Sequence, residues 1–320
     1  MSYVDVTAGM QIGEPIRPRA RVWTRLRKRP VAMAAIVVIV IIYGAGIFAP
    51  IVAPYGFSEP DFANTHASPS WSHPLGTDAL GRDLLSRAIW SAQTTVIISI
   101  AAVTTGGLLL GVTLGLIAGY LRGWADAIIM RTAEILGSVP TILLLLIITA
   151  TLLRRVDSAA EDIEDLTGLD WITSSGAPSY FLIFGALSIF GWVGIARIVR
   201  SQVLSLRESQ YVIAARASGA STRRIIFWHL LPNVSNLLIV ALTLSLGGAA
   251  GAEVGLTFLG IGVQAPHPSF GAMIFEGAGL TQVRQHPMLI LVPSVAVSSL
   301  ILAFNLLGDQ LTDVLSPRHR

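Results

Sequence analysis

Six stretches of this sequence contain no charged side chain, and each is about as long as a bilayer is thick. A helix needs roughly 20 mostly apolar residues to cross the hydrocarbon core. Lipid offers the backbone no hydrogen-bond partner, and stretches of this length are too long for membrane β-strands. We therefore predict an all-α integral membrane protein with six transmembrane helices, at residues 31–53, 88–121, 135–153, 179–196, 230–252 and 288–308.

The composition is typical of a chain that is largely surrounded by lipid. Hydrophobic residues make up 53% of the sequence and charged residues only 13%, whereas soluble domains carry about 25% charged residues. The absence of cysteine excludes disulfide scaffolds, thiolate metal sites and cysteine nucleophiles. The net charge of +3 is carried by basic residues between the apolar runs, which indicates membrane orientation rather than nucleic-acid binding.

The placement of arginine predicts how the helices are oriented. Basic loops stay on the cytoplasmic side of a membrane, and loop 197–229 carries six arginines against one acid, Glu208. The alternate loops, 54–87 and 153–178, are acidic instead. Both termini are therefore expected in the cytoplasm. The basic residues are Arg17, Arg19, Arg21, Arg25, Arg27, Lys28 and Arg29 in the first tail and Arg197, Arg200, Arg207, Arg216, Arg223 and Arg224 in the loop; the acids are Glu59, Asp61, Asp78, Asp83, Asp157, Glu161, Asp162, Glu164, Asp165 and Asp170.

These assignments divide the chain into five parts. The first apolar run is longer than the 7–15-residue core of a signal peptide and follows a hydrophilic tail, so we treat it as a span. The second run exceeds one crossing, so its start is expected to lie along the membrane surface or to project beyond it. The parts are a cytoplasmic tail at 1–30, the first span at 31–53, an extracytoplasmic loop at 54–87, a five-helix core at 88–310 with a cytoplasmic loop at 197–232, and a cytoplasmic tail at 311–320.

Two series of glycines at spacing four mark helix faces that allow close packing. Such a ridge either packs tightly within the chain or forms a contact that slides during function. The second span carries one series and the fifth span another: Gly107, Gly111, Gly115 and Gly119, then Gly247, Gly251 and Gly255.

Prolines and acids interrupt the apolar spans at a few positions. Pro140 and Pro293 lie inside the third and sixth predicted spans and should kink them. Glu134 follows Arg131 by three residues, so the two share a helix face and can pair. Glu253 has no charge near it in the sequence. It either lines a pathway or gate, or it makes a structural hydrogen bond to a neighbouring helix.

Residues 211–233, on the predicted cytoplasmic side, carry the most specific pattern. Small alanines predict a short helix, and Gly219 then ends it, as a glycine at a helix C-terminus does. Ser221 can cap a second short helix, and Pro232 is expected to turn the chain into the fifth span. His229 is expected to lie in the loop.

This pattern resembles the cytoplasmic loop of binding-protein-dependent ABC importer permeases. In that family Glu-Ala-Ala is followed by three residues, Gly, nine residues, Ile, one residue and Leu-Pro. Here Ile213 replaces the glutamate and His229 the isoleucine, which puts in doubt a charged contact at position 213. The resemblance implies an ATPase-coupling segment made of Tyr211, Ile213, Ala214, Ala215, Arg216, Gly219, Ala220, Arg223, Arg224, Leu231 and Pro232.

Two further segments are similar to the dipeptide and oligopeptide branch of that family. One is His73 to Asp78 with Gly81 to Asp83, Ser86 and Arg87, where local charge pairing in a turn is expected rather than substrate contact. The other is Phe258 to Gln264 with Pro266, Pro268 to Gly271 and Glu276, which is expected to fold on the external face. The terminal Gly308 to Leu311 also fits.

The resemblance implies a type I ABC importer permease that forms half of a translocation pathway in the bacterial inner membrane. Its implied partners are a homologous second permease, two ATPase modules that hold ATP and magnesium, and an extracytoplasmic solute-binding protein. The residues themselves agree, because a phosphate-binding P-loop needs Gly-x-x-x-x-Gly-Lys. The one lysine, Lys28, follows no such pattern. We expect no catalytic residue, no metal site and no cofactor in this chain.

Two other classes of function remain open from the sequence alone. An ion-driven secondary transporter predicts inverted repeats and paired intramembrane charges, and a membrane enzyme predicts a polar cluster such as His-Glu-x-x-His. Neither pattern is evident. Permeases of this kind serve dipeptides, oligopeptides, glutathione or nickel chelates, and the sequence does not decide among these substrates.

Overall fold

Helices dominate the computed structural model, which describes residues 20–168 and 171–315. The described residues contain no β-strand, only one isolated bridge between Thr77 and Asp83. The predicted positions of Arg17, Arg19, Asp170 and the tail 316–320 lie outside the described residues. The helices are α1 (Ala20–Leu26), α2 (Pro30–Ile47), α3 (Ala49–Val52), α4 (Leu84–Leu121), α5 (Gly123–Gly137), α6 (Thr141–Thr167), α7 (Ala177–Leu206), α8 (Gln210–Ala217), α9 (Thr222–Phe258), α10 (Phe270–Gly277), α11 (Leu280–Gln285) and α12 (Met288–Leu315).

Five of these helices are long and apolar enough to cross a membrane: α2, α4, α7, α9 and α12. The pair α5 and α6 passes the same test together, although it is bent by 84° at the break between the two helices. The all-α membrane fold is therefore confirmed, and six crossings result when the bent pair counts as one. Helix α4 has 38 residues, or about 57 Å, so it is long enough to project beyond the bilayer.

The third predicted span, 135–153, is wrong as a single helix. Pro140 does not kink a continuous helix but stands between α5 and α6 as the N-cap of α6, with a non-helical ψ of 117°. Proline has no N–H to donate and disfavours a helical residue before it, so the chain breaks and changes direction there. Pro293, in contrast, lies inside α12, as predicted.

Several boundaries also differ from the hydropathy pattern. The first span ends at Ile47, and Ala49–Val52 forms a separate turn. Residues 154–167 of the predicted acidic loop continue α6 until Gly168, which has a left-handed φ of 69°. Residues 84–87 begin α4, and 311–315 continue α12. Charged residues with good helix propensity extend a helix past the apolar core, which hydropathy alone does not register.

The glycine series of α4 lies against α7. A Cβ added at Gly115 would meet the Val199 Cβ at 2.6 Å, and one at Gly119 would meet the Val203 Cβ at 2.8 Å. Gly111 approaches Ile195 in the same way, at 2.8 Å. Glycines at spacing four thus face β-branched residues at spacing four, and the two backbones come close together.

The second glycine series makes fewer contacts. A Cβ at Gly247 would lie 3.0 Å from the Phe304 Cβ, and one at Gly251 would lie 3.2 Å from Ile301 Cδ1, both on α12. A Cβ added at Gly255 would meet nothing within 4 Å. The α9 ridge therefore packs on α12 at two of its three positions.

Both described ends of the chain lie at one end of the helix bundle. Arg29 donates to Asp313 Oδ2 at 2.8 Å and to Gln310 Oε1 at 2.9 Å, which joins the start of α2 to the end of α12. Helix α9 runs antiparallel to α12, as the pairs Gly247–Phe304 and Gly308–Leu244 show. The start of α9, and with it α8, therefore lies at this same end, and α10 lies at the other.

Prediction for the α4–α7 contact: Gly115→Ala should lower the melting temperature of the purified chain in mild detergent. A methyl group there would stand 2.6 Å from a side-chain carbon and 2.7 Å from the Ala196 carbonyl oxygen. Overpacking of this kind costs about 1–3 kcal/mol. Gly185→Ala on α7 is the matched control, because nothing lies within 4 Å of that position. Equal melting temperatures for the two variants would contradict the proposed role of Gly115.

Candidate functional site

Helix α8 is a short helix anchored by one fully buried side chain. Val212 has 0% exposed surface and packs in a cluster with Val203, Ile225 and Leu230. The rest of the helix is largely uncovered: Tyr211, Ile213, Ala214 and Arg216 are exposed, and Ala215 is half-buried. The helix thus presents a small and mainly apolar surface away from the bundle, on a single hydrophobic anchor.

Gly219 ends α8 through backbone geometry rather than lack of space. Its φ is +77°, and nothing lies within 4 Å of where a Cβ would stand. Its N–H donates to the Arg216 carbonyl at 3.0 Å, and the next N–H, of Ala220, donates to the Ala215 carbonyl at 3.0 Å. This pair of bonds is the Schellman motif, which satisfies the last carbonyls of a helix and reverses the chain.

The helix after Gly219 begins earlier in the sequence than the predicted fifth span. Ser221 caps α9 by accepting from the Arg224 N–H at 3.4 Å, and the helix then continues without a break to Phe258. Pro232 lies near the start of the regular α-helical part, where its missing N–H is tolerated, so it makes no turn. His229 is a helix residue and not a loop residue. The connecting segment is therefore 207–221, because residues 197–206 belong to α7 and 222–232 to α9.

Contacts that the sequence did not reveal fasten this segment to the end of α4. Arg207 Nη1 donates to the Tyr120 carbonyl at 2.8 Å, and Arg122 Nη2 donates to Glu208 Oε1 at 2.8 Å. The guanidinium of Arg216 lies 5.8 Å from the centre of the Tyr120 ring, within the range of a cation–π contact. These partners are more than 80 positions apart, so no local motif indicates them.

The position of α8 allows it to transmit a displacement. It lies between two membrane-spanning helices, α7 and α9, and its anchor residue Val212 packs against both of them. Its connection also holds the end of α4. A force applied to the exposed face of α8 therefore reaches three spans over short distances.

At membrane depth, Glu253 is a fully buried carboxylate with hydroxyl partners. It has 0% exposed surface. Thr95 Oγ1 of α4 donates to Glu253 Oε2 at 2.9 Å, and Thr257 Oγ1 one turn later donates to Oε1 at 3.2 Å. Ser269, just before α10, also makes a side-chain hydrogen bond to this carboxylate. The structure places Glu253 in a hydrogen-bonded clasp that includes Thr95 of the neighbouring helix α4, and its role in a pathway or gate stays a prediction.

The same clasp holds the segment that joins α9 to α10. Thr94 Oγ1 donates to the Pro268 carbonyl at 2.8 Å, and the Val263 N–H donates to Thr257 Oγ1 at 3.2 Å. Phe270 and Met273 on α10 are buried beneath it. The segment 259–269 therefore folds back into the bundle.

An ionic cluster fastens the other end of α10. Asp78 Oδ2 accepts from Arg82 Nε at 2.7 Å and from Arg87 Nη1 at 2.6 Å. Arg87 also donates to both carboxylate oxygens of Glu276, at 2.6 and 3.0 Å. The expected local pairs are present, and Glu276 joins them from 189 positions away. Because Arg87 is buried, this cluster is a structural connection between the loop before α4 and α10.

A cavity of about 250 Å³ opens between α4, α6, α7 and α9. Its walls are small and apolar, and none of its lining residues is charged. Val103, Leu187 and Phe190 supply the larger side chains, while Gly191 and Gly248 leave backbone exposed. Nothing lies within 4 Å of a Cβ at either glycine, so this face of the chain is open to a neighbour or to a passing molecule.

The Glu253 clasp yields a stability prediction. Glu253→Leu should lower the melting temperature in detergent markedly, because it leaves buried hydroxyls without their acceptor at about 1–3 kcal/mol each. Glu253→Gln should cost less, because the amide keeps one acceptor oxygen and hydroxyl groups can rotate to accept from its NH₂. Glu134→Leu removes an exposed carboxylate paired with Arg131 and is the control. A leucine variant that melts with the wild type would refute the clasp.

Comparison with known proteins assigns this sequence to a family. Residues 111–320 match the model for the binding-protein-dependent transport system inner membrane component, and residues 17–69 match the N-terminal transmembrane domain of oligopeptide transport permease C. The oligopeptide transport system permease protein OppC of Bacillus subtilis is 35% identical over 92% of this chain and 88% of its own length.

Other relatives align over similar lengths. The dipeptide transport system permease protein DppC of Bacillus subtilis is 34% identical over 93% of this chain and 85% of its own length. The glutathione transport system permease protein GsiD of Pectobacterium atrosepticum is 33% identical over 94% and 91%. With a family match over most of the sequence and the helices to cross the inner membrane, this chain belongs to the inner-membrane permeases of binding-protein-dependent ABC transport systems.

Proposed function

We propose that this chain forms half of the translocation pathway of an ATP-driven importer for dipeptides or oligopeptides. The observation that carries the proposal is the geometry of α8. A short helix with small exposed side chains, ended by a Schellman motif and placed between two spans, suits insertion into a groove on a moving partner. A permease of this family is not itself an enzyme, so the free energy for uphill transport comes from outside this chain.

The energy source is a pair of ATPase modules, which hold ATP and magnesium. Permeases of this family act with ATPase and binding-protein partners in general. In this chain the contact with the ATPases is made by Tyr211, Ile213, Ala214 and Ala215, whose side chains face away from the bundle apart from the half-buried Ala215. Closure of the ATPases displaces α8, and the pathway then alternates between two access states.

The other half of the pathway is a homologous second permease. The open cavity between α4, α6, α7 and α9 and the uncovered glycines Gly191, Gly194, Gly248 and Gly255 support this pairing. Small residues at an uncovered helix face allow another helix to approach closely within lipid. A wall without charge suits substrates that differ in side chain, since it offers no ionic site that would retain one of them.

The α8 end faces the cytoplasm, and the α10 end faces outward towards the solute-binding protein. The arginine-rich segments of the tail and of 197–229 support this orientation. The acidic residues on α6, among them Glu161 and Asp162, then lie outside. The described ends of the chain, near Arg29 and Asp313, lie at the α8 end of the bundle, so this orientation places them on the cytoplasmic side.

The peptide assignment rests on the names of the relatives, which are oligopeptide and dipeptide permeases, with a glutathione permease among them. Glutathione and nickel chelates are the alternative substrates. Purification from the host membrane in mild detergent tests the assembly: a second permease and P-loop ATPases should accompany the chain. If the chain came alone, even after crosslinking at α8, the proposal of ATP coupling would be abandoned.

Transport driven by an ion gradient is the rival function. It needs an ionisable group with access to an ion, and Glu253 is the isolated candidate in the sequence. Its hydroxyl partners and complete burial support a structural role over access to an ion. Abolition of uptake by an uncoupler while ATP remains high would favour the rival, whereas competition by peptides under ATP-dependent conditions favours the importer.

Gly219→Val should uncouple transport while the chain remains in the membrane. A β-branched residue at φ +77° is strained by about 1–2 kcal/mol, which disfavours the end of α8 by a factor of about 5–30. We expect peptide uptake to fall by a similar factor at normal membrane abundance. Gly168→Val is the matched control, because Gly168 also has a left-handed φ in open space but lies far from α8. Normal uptake by the Gly219 variant would contradict the coupling role.

Because the sequence contains no cysteine, single-cysteine labelling tests the orientation directly. Ala159→Cys on the exposed face of α6 should react with a membrane-impermeant maleimide added to intact cells. Ser218→Cys, beside Gly219, should react only after the cells are opened. The reverse pattern would overturn the proposed topology and leave the fold unaffected.

A further inference from the structure

A surface groove of about 540 Å³ lies beside the first turns of α9. It is lined by Ser221, Arg223, Arg224, Phe227 and Trp228. Both aromatic side chains are exposed, Trp228 at 78% of its surface. On the opposite face of the same turns, Ile225 and Leu230 are buried in the core. The groove is thus an outward face whose position is fixed by packing behind it.

The two arginines of the groove carry charge that the described part of the chain does not balance. Among residues 20–168 and 171–315, no hydrogen bond or ion pair joins the guanidinium of Arg223 or Arg224 to another side chain. Other cytoplasmic-end arginines behave differently: Arg122 pairs with Glu208 and Arg200 with Asp126. The groove is therefore suited to bind an anion.

The spacing of the groove residues matches the layers of a bilayer surface. The run of α9 without Asp, Glu, Lys or Arg begins at Ile225, directly after Arg224, and extends to Ala252. The two arginines therefore stand at the edge of the apolar run, and Phe227 and Trp228 lie just inside it. The headgroup region is about 5–7 Å deep on each side of the hydrocarbon. A long arginine side chain at this position reaches the phosphates.

The side chains also share one face in the correct order. Arg224 and Trp228 are four positions apart, as are Arg223 and Phe227, and all four side chains line the same groove. Rings at the hydrocarbon boundary and basic groups above them are the usual arrangement at a membrane interface. A free phosphate would use the arginines and leave both rings in water, whereas a lipid covers the rings as well.

We propose that this groove binds an anionic phospholipid. Its phosphate lies between Arg223 and Arg224, and its acyl chains run along Phe227 and Trp228. The site is distinct from the exposed face of α8, and it assigns to lipid Arg223 and Arg224, which the family resemblance included in the ATPase-coupling segment. It does place a lipid at the point where α8 is joined to α9 through Gly219, so an occupied groove steadies the start of that helix.

Quenching of tryptophan fluorescence by brominated lipids tests the site. The full chain in nanodiscs should be quenched more by brominated phosphatidylglycerol than by brominated phosphatidylcholine, with a preference of about tenfold for the anionic lipid. Trp228→Phe should remove the component that shows this preference. Inorganic phosphate added in solution should not displace the lipid, and displacement would identify a free-anion site and overturn the proposal.

Two double variants test whether the charge of Arg223 and Arg224 causes the preference for the anionic lipid. The double variant Arg223→Gln with Arg224→Gln should lose the preference for the anionic lipid, with folding checked by gel filtration. The control is Arg154→Gln with Arg155→Gln, another adjacent and exposed arginine pair, which should retain it. An unchanged preference in the first variant would overturn the proposal. So would protection of Trp228 from lipid quenching once the ATPase-containing complex is assembled, because the groove would then be covered by protein.

Discussion

A carboxylate without exposed surface imposes the strongest local constraint on this fold. A charge at the centre of a membrane helix costs roughly 2.5–3.5 kcal/mol on insertion scales, and no cation reaches Glu253 among the described residues. Its oxygens are met by hydroxyl groups, from Thr95 on a neighbouring span, from Thr257 on the next turn and from Ser269. Because Ser269 lies beyond the end of α9, the chain must return into the bundle after Phe258, and α10 follows it into the core.

Helix α4 holds contacts at both ends of the molecule. At the α10 end, Thr94 holds the returning segment, Thr95 holds Glu253 of α9, and Arg87 holds Glu276. At the α8 end, the Tyr120 carbonyl accepts from the connecting segment. Between these ends the glycine ridge joins α4 to α7 with closely spaced backbones. The two ends are therefore connected through one closely packed pair of helices.

Structural features set by residues close together in the sequence were predictable, whereas contacts between residues far apart in the sequence were not. The end of α8 at Gly219 and the cap at Ser221 follow from residue types at fixed short spacings, and the structure has both. The partners of Glu253 could not be named, because Thr95 is 158 positions away and no pattern links the two. Hydropathy likewise shows how apolar a segment is, but not where the chain changes direction. It therefore predicted a kinked helix at Pro140, where one helix ends and another begins.

The two glycine ridges, which look alike in sequence, differ in what surrounds them, and this difference bears on motion. Along α4, Ile195, Val199 and Val203 sit against the glycines at one-turn intervals and at 2.6 to 2.8 Å from an added Cβ. Sliding would require a jump of a whole turn, about 5.4 Å, so this ridge favours fixed packing. Along α9, a Cβ added at Gly255, or at Gly248 on the cavity wall, would meet nothing within 4 Å. The proposed contact with a second permease therefore belongs to the α9 face, where the backbone is uncovered, whereas the contact between α4 and α7 is closely packed.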